Sequence, residues 1–583
     1  LLESLAVAVV LGAAGAGSEP EPRVSRDVAV PMRDGVVLRA DVWRPHTGEG
    51  PFPVLVYRTP YGKHAGDHAL VRRAAARGYV VVVQDVRGRH ASDGEFDPYR
   101  NEGRDGYDTI EWAAAQAWSN GRVGSFGLSY PGAVQWLAAV ESPPHLLAMA
   151  PAMTFSTPRL FFYAGGAWDL SWVSWIWHNI APDARVRKGL AGPRSGREAA
   201  AEWPRVRDGL LRRVPLTTLD ELREAAPFYA EWLRHPPEDP WWDWAELRWR
   251  YGRVQAAVLN LSGWYDEAYG PQGAIANFTG LLEARRGEAD TRARLVLGPW
   301  THGAEETERA RSGERVFGDA ARIDYGETVL RFLDRYLRGI DEGHEREKAV
   351  RAFVMGENAW READAWPLPG AEHRVLYLHG AAAPGAHGAL SASPPAAEPG
   401  ESAFVSDPEH PVSDPQWEAP GAHDYRWLAG RPDTLVFETE PLERDLVVVG
   451  SITAEIAVAA DAPDFDLWVK LLDVAPDGTA FNLMSPGLDV LRARYRDGWR
   501  RPALLGLGRV ATLRLENLTT GNAFKEGHRM RVVLAGSFFP AFSRNPQTGA
   551  SEASSAETRR ARITIRHSAR HASRLVLPVL PSS

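Results

Sequence analysis

The chain has 583 residues, of which 44% are hydrophobic and 24% charged, the ordinary balance of a globular protein with large buried cores. At ~150 residues per domain it makes about four structural units. A net charge of −8 with no basic run argues against a nucleic-acid partner. The absence of cysteine excludes disulfides, thiolate metal sites and a cysteine nucleophile.

Residues 5–17 are apolar, rich in small residues and close on Ala14-Gly15-Ala16. They read as the apolar core and cleavage region of a secretory signal, which predicts export to the periplasm or beyond; otherwise the location is cytoplasmic. The run is too short to cross a membrane, and no other stretch is a candidate span.

Beyond an acidic, proline-bearing linker at 18–22, residues 28–32 and 36–43 read as strands flanking an Arg33-Asp34-Gly35 turn. Strands follow at 53–57 and 79–85, with a helical pattern at 68–77 between them. A helix at 107–117 precedes a buried strand at 122–126. Alternating strands and helices with β-branched runs imply a mostly parallel sheet covered on both faces.

That strand runs into Gly127-Leu128-Ser129-Tyr130-Pro131-Gly132, and a helical pattern starts at once. A serine on a tight strand-to-helix turn has its hydroxyl pushed out over the sheet edge, with a helix N-terminus behind it. The usual elbow is G-x-S-x-G; here the second glycine comes one residue late, with Pro131 in its place.

From 154 to 253 the strand signal gives way to helical, aromatic sequence. Trp168, Trp172 and Trp175 fall on one helical face. These rings suit either the segment's own core or an apolar pocket beneath a cap over the elbow. Strands resume at 254–261 and 293–298, a helix follows at 327–337, and a polar linker at 339–347 closes the α/β part. Beyond it, proline-rich loops such as 381–399 alternate with short strands at 451–458, 467–472 and 530–534. That texture predicts an antiparallel sandwich as a separate domain.

A serine hydrolase needs a base for the hydroxyl proton, an acid to orient that base, and donors for the oxyanion. On an α/β-hydrolase sheet these come in the order Ser, Asp, His, each on a loop after a strand. The strand at 254–261 leads to Gly263-Trp264-Tyr265-Asp266, and that at 293–298 to Pro299-Trp300-Thr301-His302. His302 is the histidine in that position downstream of the acid, so Ser129, Asp266 and His302 are the candidate catalytic residues.

Gly-Leu-Ser-Tyr-Pro-Gly, Gly-Trp-Tyr-Asp and Gly-Pro-Trp-Thr-His resemble the signature stretches of the cocaine esterase / X-Pro dipeptidyl-peptidase (CocE/NonD) hydrolases. The segments 57–63, 84–89, 490–496 and 543–546 extend the likeness over nearly the whole chain after residue 25. The resemblance implies an α/β-hydrolase core with an inserted helical cap and a jelly-roll, galactose-binding-like C-terminal domain. The expected segments are a signal remnant at 1–17, core at 26–153 and 254–345, cap at 154–253, and β-domain at 350–583. It also implies Ser129 as nucleophile, Asp266 as orienting acid and His302 as base. The oxyanion hole would be the Tyr130 backbone N–H with the Tyr61 phenol, and a neutral phenol is a sensible donor there. Trp168, Trp172 and Trp264 are the candidate substrate-pocket residues.

Relatives that cleave α-amino acid esters carry two acids just after the aspartate, where this chain has Ala268 and Tyr269, although Glu267 adjoins Asp266. X-Pro peptidases of this type carry added N-terminal structure. The reading is therefore a serine hydrolase for esters, or amides, of small acyl groups, with acyl transfer to an amine, X-Pro peptidase and amino-acid ester hydrolase as alternatives. A non-catalytic glycan- or partner-binding protein is the rival from another class. No metal-ligand or phosphate-cradling motif is present, so no cofactor is expected, and homo-oligomerisation is left open.

Overall fold

The computed structural model describes residues 21–64, 68–341, 343, 347–380, 386–397 and 400–581. The signal-like run at 5–17 lies outside them. The core sheet has ten strands. In chain order they are β1 (Arg23–Pro31), β2 (Val37–Arg44), β3 (Phe52–Thr59), β4 (Val80–Asp85), β5 (Ser119–Leu128), β6 (Leu146–Ala152), β7 (Ala257–Gly263), β8 (Ala293–Gly298), β9 (Val350–Val354) and β10 (Ala359–Ala363). Across the sheet they run β1-β2-β4-β3-β5-β6-β7-β8-β9-β10, parallel from β4 to β9 and antiparallel at both edges.

The central strands are buried on both faces, so their sequences are continuous apolar runs; every residue of β4 and β7 is buried. The pleat sends successive side chains to opposite cores. Val80 and Val82 join Ile110, Val134 and Phe278 of α2 (Glu102–Ala114), α3 (Tyr130–Ala139) and α4 (Gln272–Ala284). Val81 and Val83 join Leu70 of α1 (His68–Ala76) and Leu333 of α5 (Tyr325–Arg338). Helix α5 buries Val329, Leu330, Leu333 and Leu337. Asp324 caps its start by accepting the Glu327 N–H at 2.8 Å, and Gly339, in the left-handed region, ends it.

Three local expectations are corrected. Helix α2 starts at Glu102, before the expected 107, because its first turn hides two acids whose charge masks the helical pattern. Glu102 is buried against Arg58 at 2.8 Å and the Tyr130 hydroxyl at 2.8 Å. The strands β9 and β10, expected to open the C-terminal domain, instead complete the core sheet by pairing beyond β8. Trp168 is not on a helix with Trp172. Gly165 and Gly166 adopt φ of 53° and 96°, and the chain makes a hairpin of Tyr163–Ala164 with Ala167–Trp168. A Cβ on Gly165 would stand 1.9 Å from the Val490 carbonyl oxygen, so the C-terminal domain's approach requires glycine there.

The rest of the cap consists of short helices and turns, with Phe162 packed against Trp172, Trp232 and Trp242 at 4.6, 4.5 and 4.9 Å between ring centroids. The C-terminal domain is built on a twelve-stranded, mainly antiparallel sheet. Its longest strands, Leu446–Ala460 and Ala511–Phe524, pair with each other, and Ile452, Ile456, Leu513 and Ile563 fill its core. It is tied to the α/β part by reciprocal backbone bonds of Met355 with Gly521 and Ala523, at 2.9 and 2.7 Å. No helix of the described residues is long and apolar enough to cross a membrane.

Candidate active site

Ser129 caps α3 with φ 66° and ψ −130°, a conformation that costs a non-glycine residue roughly 1–3 kcal/mol. The surrounding chain holds it there. Its N–H donates to the Ala152 carbonyl at 3.0 Å, and its carbonyl accepts from Gly132 and Ala133 at 2.9 Å each. A Cβ on Gly132 would lie 2.7 Å from the Ala152 oxygen, which accounts for the late glycine: it lets the first turn of α3 abut the end of β6.

The Ser129 hydroxyl lies next to two phenols, Tyr61 and Tyr269. Tyr61 follows the end of β3, and its oxygen accepts the Trp175 indole N–H at 3.1 Å. A phenol oxygen that accepts this bond still has its O–H to donate. Burial, opposed by the bond from Trp175 and the neighbouring Ser129 hydroxyl, raises its pKa, so it stays protonated at neutral pH. Tyr130 is fully buried. Its hydroxyl donates to Glu102 and accepts the Tyr99 N–H at 3.0 Å, and its ring stacks on Tyr99 at 4.3 Å. These contacts fix the side chain and leave the Tyr130 backbone N–H in the first turn of α3, beside Ser129.

Asp266 lies in the turn after β7 and His302 in the loop after β8. The Asp266 carboxylate is fully buried and meets His302 Nδ1 at 2.8 Å. It also accepts the N–H groups of Ala268 and Tyr269 at 3.2 and 3.3 Å and the Ser262 hydroxyl at 3.3 Å. With Nδ1 held by a carboxylate, the imidazole keeps Nε2 as its basic nitrogen. Burial works to lower the His302 pKa, but Asp266, with Glu267 and Glu305 beyond it, outweighs burial and holds it above the ordinary value. Glu267 accepts the His302 backbone N–H at 3.1 Å, and burial pushes its own pKa up to about 7.

The His302 shift has a kinetic consequence. A general base must be neutral to accept a proton, so kcat/KM falls as pH drops through the pKa of the free enzyme's base. With that pKa raised, the acid limb of a pH profile is expected above the ~6.5 of an unperturbed histidine. Glu267→Gln removes a carboxylate that favours imidazolium when ionised, and should move the limb to lower pH.

Among the residues singled out in the sequence, Ser129, Tyr61 and the first turn of α3 come together, and Asp266 and His302 form a pair. Tyr269 links the two groups: its phenol lies next to Ser129 and its ring stacks on His302 at 5.6 Å and 28°. The tryptophans divide differently. Trp172 is buried behind Trp175, ring to ring at 5.2 Å, and reaches the site through it. Trp168 is fully buried inside the cap against Tyr163 and Tyr229. Trp264 is corrected outright as a pocket residue. It is fully buried, donates its indole N–H to the Phe353 carbonyl at 2.8 Å and packs toward Gly521 of the C-terminal domain.

Tyr269 is the site residue whose role sequence reasoning does not give, and Trp175, one of the rings on the expected helical face, is the one that reaches Tyr61. Tyr269 was read for the acid it replaces, not for its hydroxyl; its place three residues after Asp266, in the same turn, was the available signal. Among the described residues no cluster of His, Cys, Asp and Glu could hold a metal.

The geometry agrees with comparisons to known proteins. Residues 34–304 match the family model of the X-Pro dipeptidyl-peptidase (S15 family), and residues 342–576 that of the X-Pro dipeptidyl-peptidase C-terminal non-catalytic domain. A cocaine esterase of Rhodococcus sp. (strain MB1 Bresler) is 33% identical over 96% of this chain and 98% of its own. In fold, the chain is similar to an aminopeptidase from the marine sediment archaeon Thaumarchaeota archaeon, with TM-score 0.80, 22% identity and full coverage of both chains. It is also similar to an α-amino acid ester hydrolase, with TM-score 0.73, 24% identity and 98% of each chain covered. A strained serine elbow, a carboxylate-bound histidine and two matched domains place the chain in the S15 (CocE/NonD) family of serine hydrolases.

Proposed function

We propose that the protein cleaves carboxylic esters of small acyl substrates through an acyl-enzyme on Ser129. The observation that carries this reading is the Ser129 hydroxyl on a strained elbow, with the Tyr61 and Tyr269 phenols next to it and His302 fixed by Asp266 at 2.8 Å. In this mechanism the serine oxygen attacks the carbonyl carbon while its proton passes to His302 Nε2. The Asp266 carboxylate stabilises the imidazolium that forms. The carbonyl oxygen, now an anion, is held by the Tyr61 O–H and the Tyr130 N–H. Collapse expels the alcohol, which takes the proton from His302, and water repeats the sequence to release the acid. No cofactor enters any step.

Ester preference is supported by the likeness to a cocaine esterase and by the lack of acids at positions 268 and 269, which leaves a substrate ammonium without the two carboxylates it would need there. A panel of p-nitrophenyl acetate, butyrate and phenylacetate beside α-amino acid esters and Gly-Pro p-nitroanilide tests the reading. Turnover led by the simple esters is expected; turnover confined to Gly-Pro p-nitroanilide would make the chain an X-Pro peptidase instead.

The oxyanion role of Tyr61 makes a separate prediction. Tyr61→Phe keeps the ring and loses the O–H, and should lower kcat by about 10²–10³-fold with little change in KM. Steady-state kinetics with p-nitrophenyl butyrate would check it; a loss confined to KM would assign Tyr61 to substrate binding.

A further inference from the structure

Tyr269 borders the proposed machinery. Its N–H donates to Asp266 at 3.3 Å, its ring lies against His302, and its phenol lies next to Ser129. The same ring stacks nearly parallel on Phe161 of the cap, at 4.3 Å and 7°. These two stacked rings form part of the wall of a cavity of about 400 Å³ enclosed by the cap, α4 and the C-terminal domain. None of Ser129, Asp266 and His302 lines that cavity; Tyr269 does, and it is also a neighbour of Ser129.

The chemistry of the cavity is mixed. Phe155, Phe161, Leu488 and Leu491 give it apolar wall. Its charged lining residues are paired: Arg159 by Glu246 at 3.0 Å and by Asp243, Arg248 by Glu246 at 2.7 Å, Arg496 by Asp497 at 3.7 Å, and Arg514 by Glu455 and Glu516 at 2.7 Å each. Arg248, Gly498 and Trp499 are shared with a second, open hollow of about 370 Å³ that forms the mouth. Its other residues are Trp249, Asp497, Arg500 and Arg501. Asp497 is the one acid in that set, and Arg496 holds it at 3.7 Å. Among the described residues no ion pair holds Arg500 or Arg501, so the mouth carries their positive charge. Arg500 is positioned by two rings, lying 5.2 Å from the Trp249 centroid and 4.8 Å from that of Trp499.

We propose that this cavity is a substrate subsite, opening onto Ser129 past Tyr269, for a substrate with an aryl or alkyl body and a carboxylate at its far end. The apolar body fills the space beside Phe161 and Leu488, and the carboxylate is received at the mouth by Arg500 and Arg501. Tyr269 then contributes to specificity as well as position, since its ring must give way for a long substrate and not for a short one. The inference rests on the ester-hydrolase reading for its connection to Ser129, but occupancy of the cavity does not depend on turnover.

The probe is 4-phenylbutyrate, which has an apolar body and one carboxylate. Calorimetric titration into the full chain should show binding, weakened at least tenfold by Leu488→Trp, which fills the cavity, and by the exposed pair Arg500→Glu with Arg501→Glu. Both variants should hydrolyse p-nitrophenyl acetate within about twofold of the parent, which reports that they are folded; should Leu488→Trp lose it, the surface pair carries the test alone. 4-Phenylbutyrate should also raise KM for p-nitrophenyl butyrate without lowering kcat. No binding to the parent, or binding that the arginine pair leaves intact, overturns the proposal, and so does binding without an effect on KM. Absence of any ester turnover in the parent is a different result: it refutes the ester-hydrolase reading while the titration still reports on the cavity.

Discussion

Replacing Ser129 by alanine is expected to lower kcat for p-nitrophenyl acetate by on the order of 10⁴–10⁶-fold, with the fold intact. The size of the loss follows from what the elbow contributes. The backbone at φ 66° is held by its bonds to Ala152, Gly132 and Ala133, none of which uses the side chain, so alanine keeps the turn and loses only the oxygen. His302→Ala should cost about as much, and the double variant little more than either alone, because nucleophile and base act as one unit. Asp266→Asn should cost about 10⁴-fold: an amide presents its N–H where Nδ1–H needs an acceptor, which reverses the imidazole tautomer. Additive losses in the double variant would mean that Ser129 and His302 do not act together. Circular dichroism of each variant separates lost chemistry from lost structure.

The second large effect is structural. Arg492 is buried between Asp466 and Glu552, with bonds of 2.8 Å to the first and 3.0 Å to the second. Glu552 is also bonded by the Ser543 hydroxyl at 2.6 Å, and Ser543 exchanges two bonds with Trp168 of the cap. The Arg492 N–H donates to Gly165 at 2.8 Å. This ion triad therefore lies where the C-terminal domain meets the cap hairpin. Arg492→Met leaves two carboxylates buried without their cation and should destabilise the protein by about 3–5 kcal/mol, read as a lower urea midpoint. In the variant the unpaired acids have pKa values raised above their unfolded ones, so they are destabilising at neutral pH and less so as pH falls through that range. The deficit should shrink in acid. A deficit under about 1 kcal/mol would show that water reaches the triad.

The parts of the fold legible in the sequence were those where burial imposes a simple pattern. Central parallel strands must be apolar on both faces, so β4 and β8 stood out, and the loops that follow such strands are where Asp266 and His302 had to be sought. Ser129 was legible because a strand, a glycine and a helix signal converge within six residues. What escaped notice depended on partners distant in sequence. Glu102 and Asp105 fall outside the helix expected from 107, yet Arg58, Arg87 and Tyr130 make them interior. The linker at 339–347 reads as a domain boundary, but nothing local reveals that β8 still has an open edge for β9. Trp264 is two residues from Asp266, yet in a tight turn neighbouring side chains diverge, and it faces the C-terminal domain while Asp266 faces His302. Tyr269 becomes a site residue only through the stacking of Phe161 and His302 on either side of it.

The most direct test of the proposed chemistry is reaction of the purified chain with a fluorophosphonate probe, followed by peptide mass mapping. A phosphonyl adduct on Ser129 in the parent protein, absent from folded His302→Ala protein, is the expected result. An unlabelled Ser129 in folded, parent protein, or an adduct on a different serine, would contradict the account.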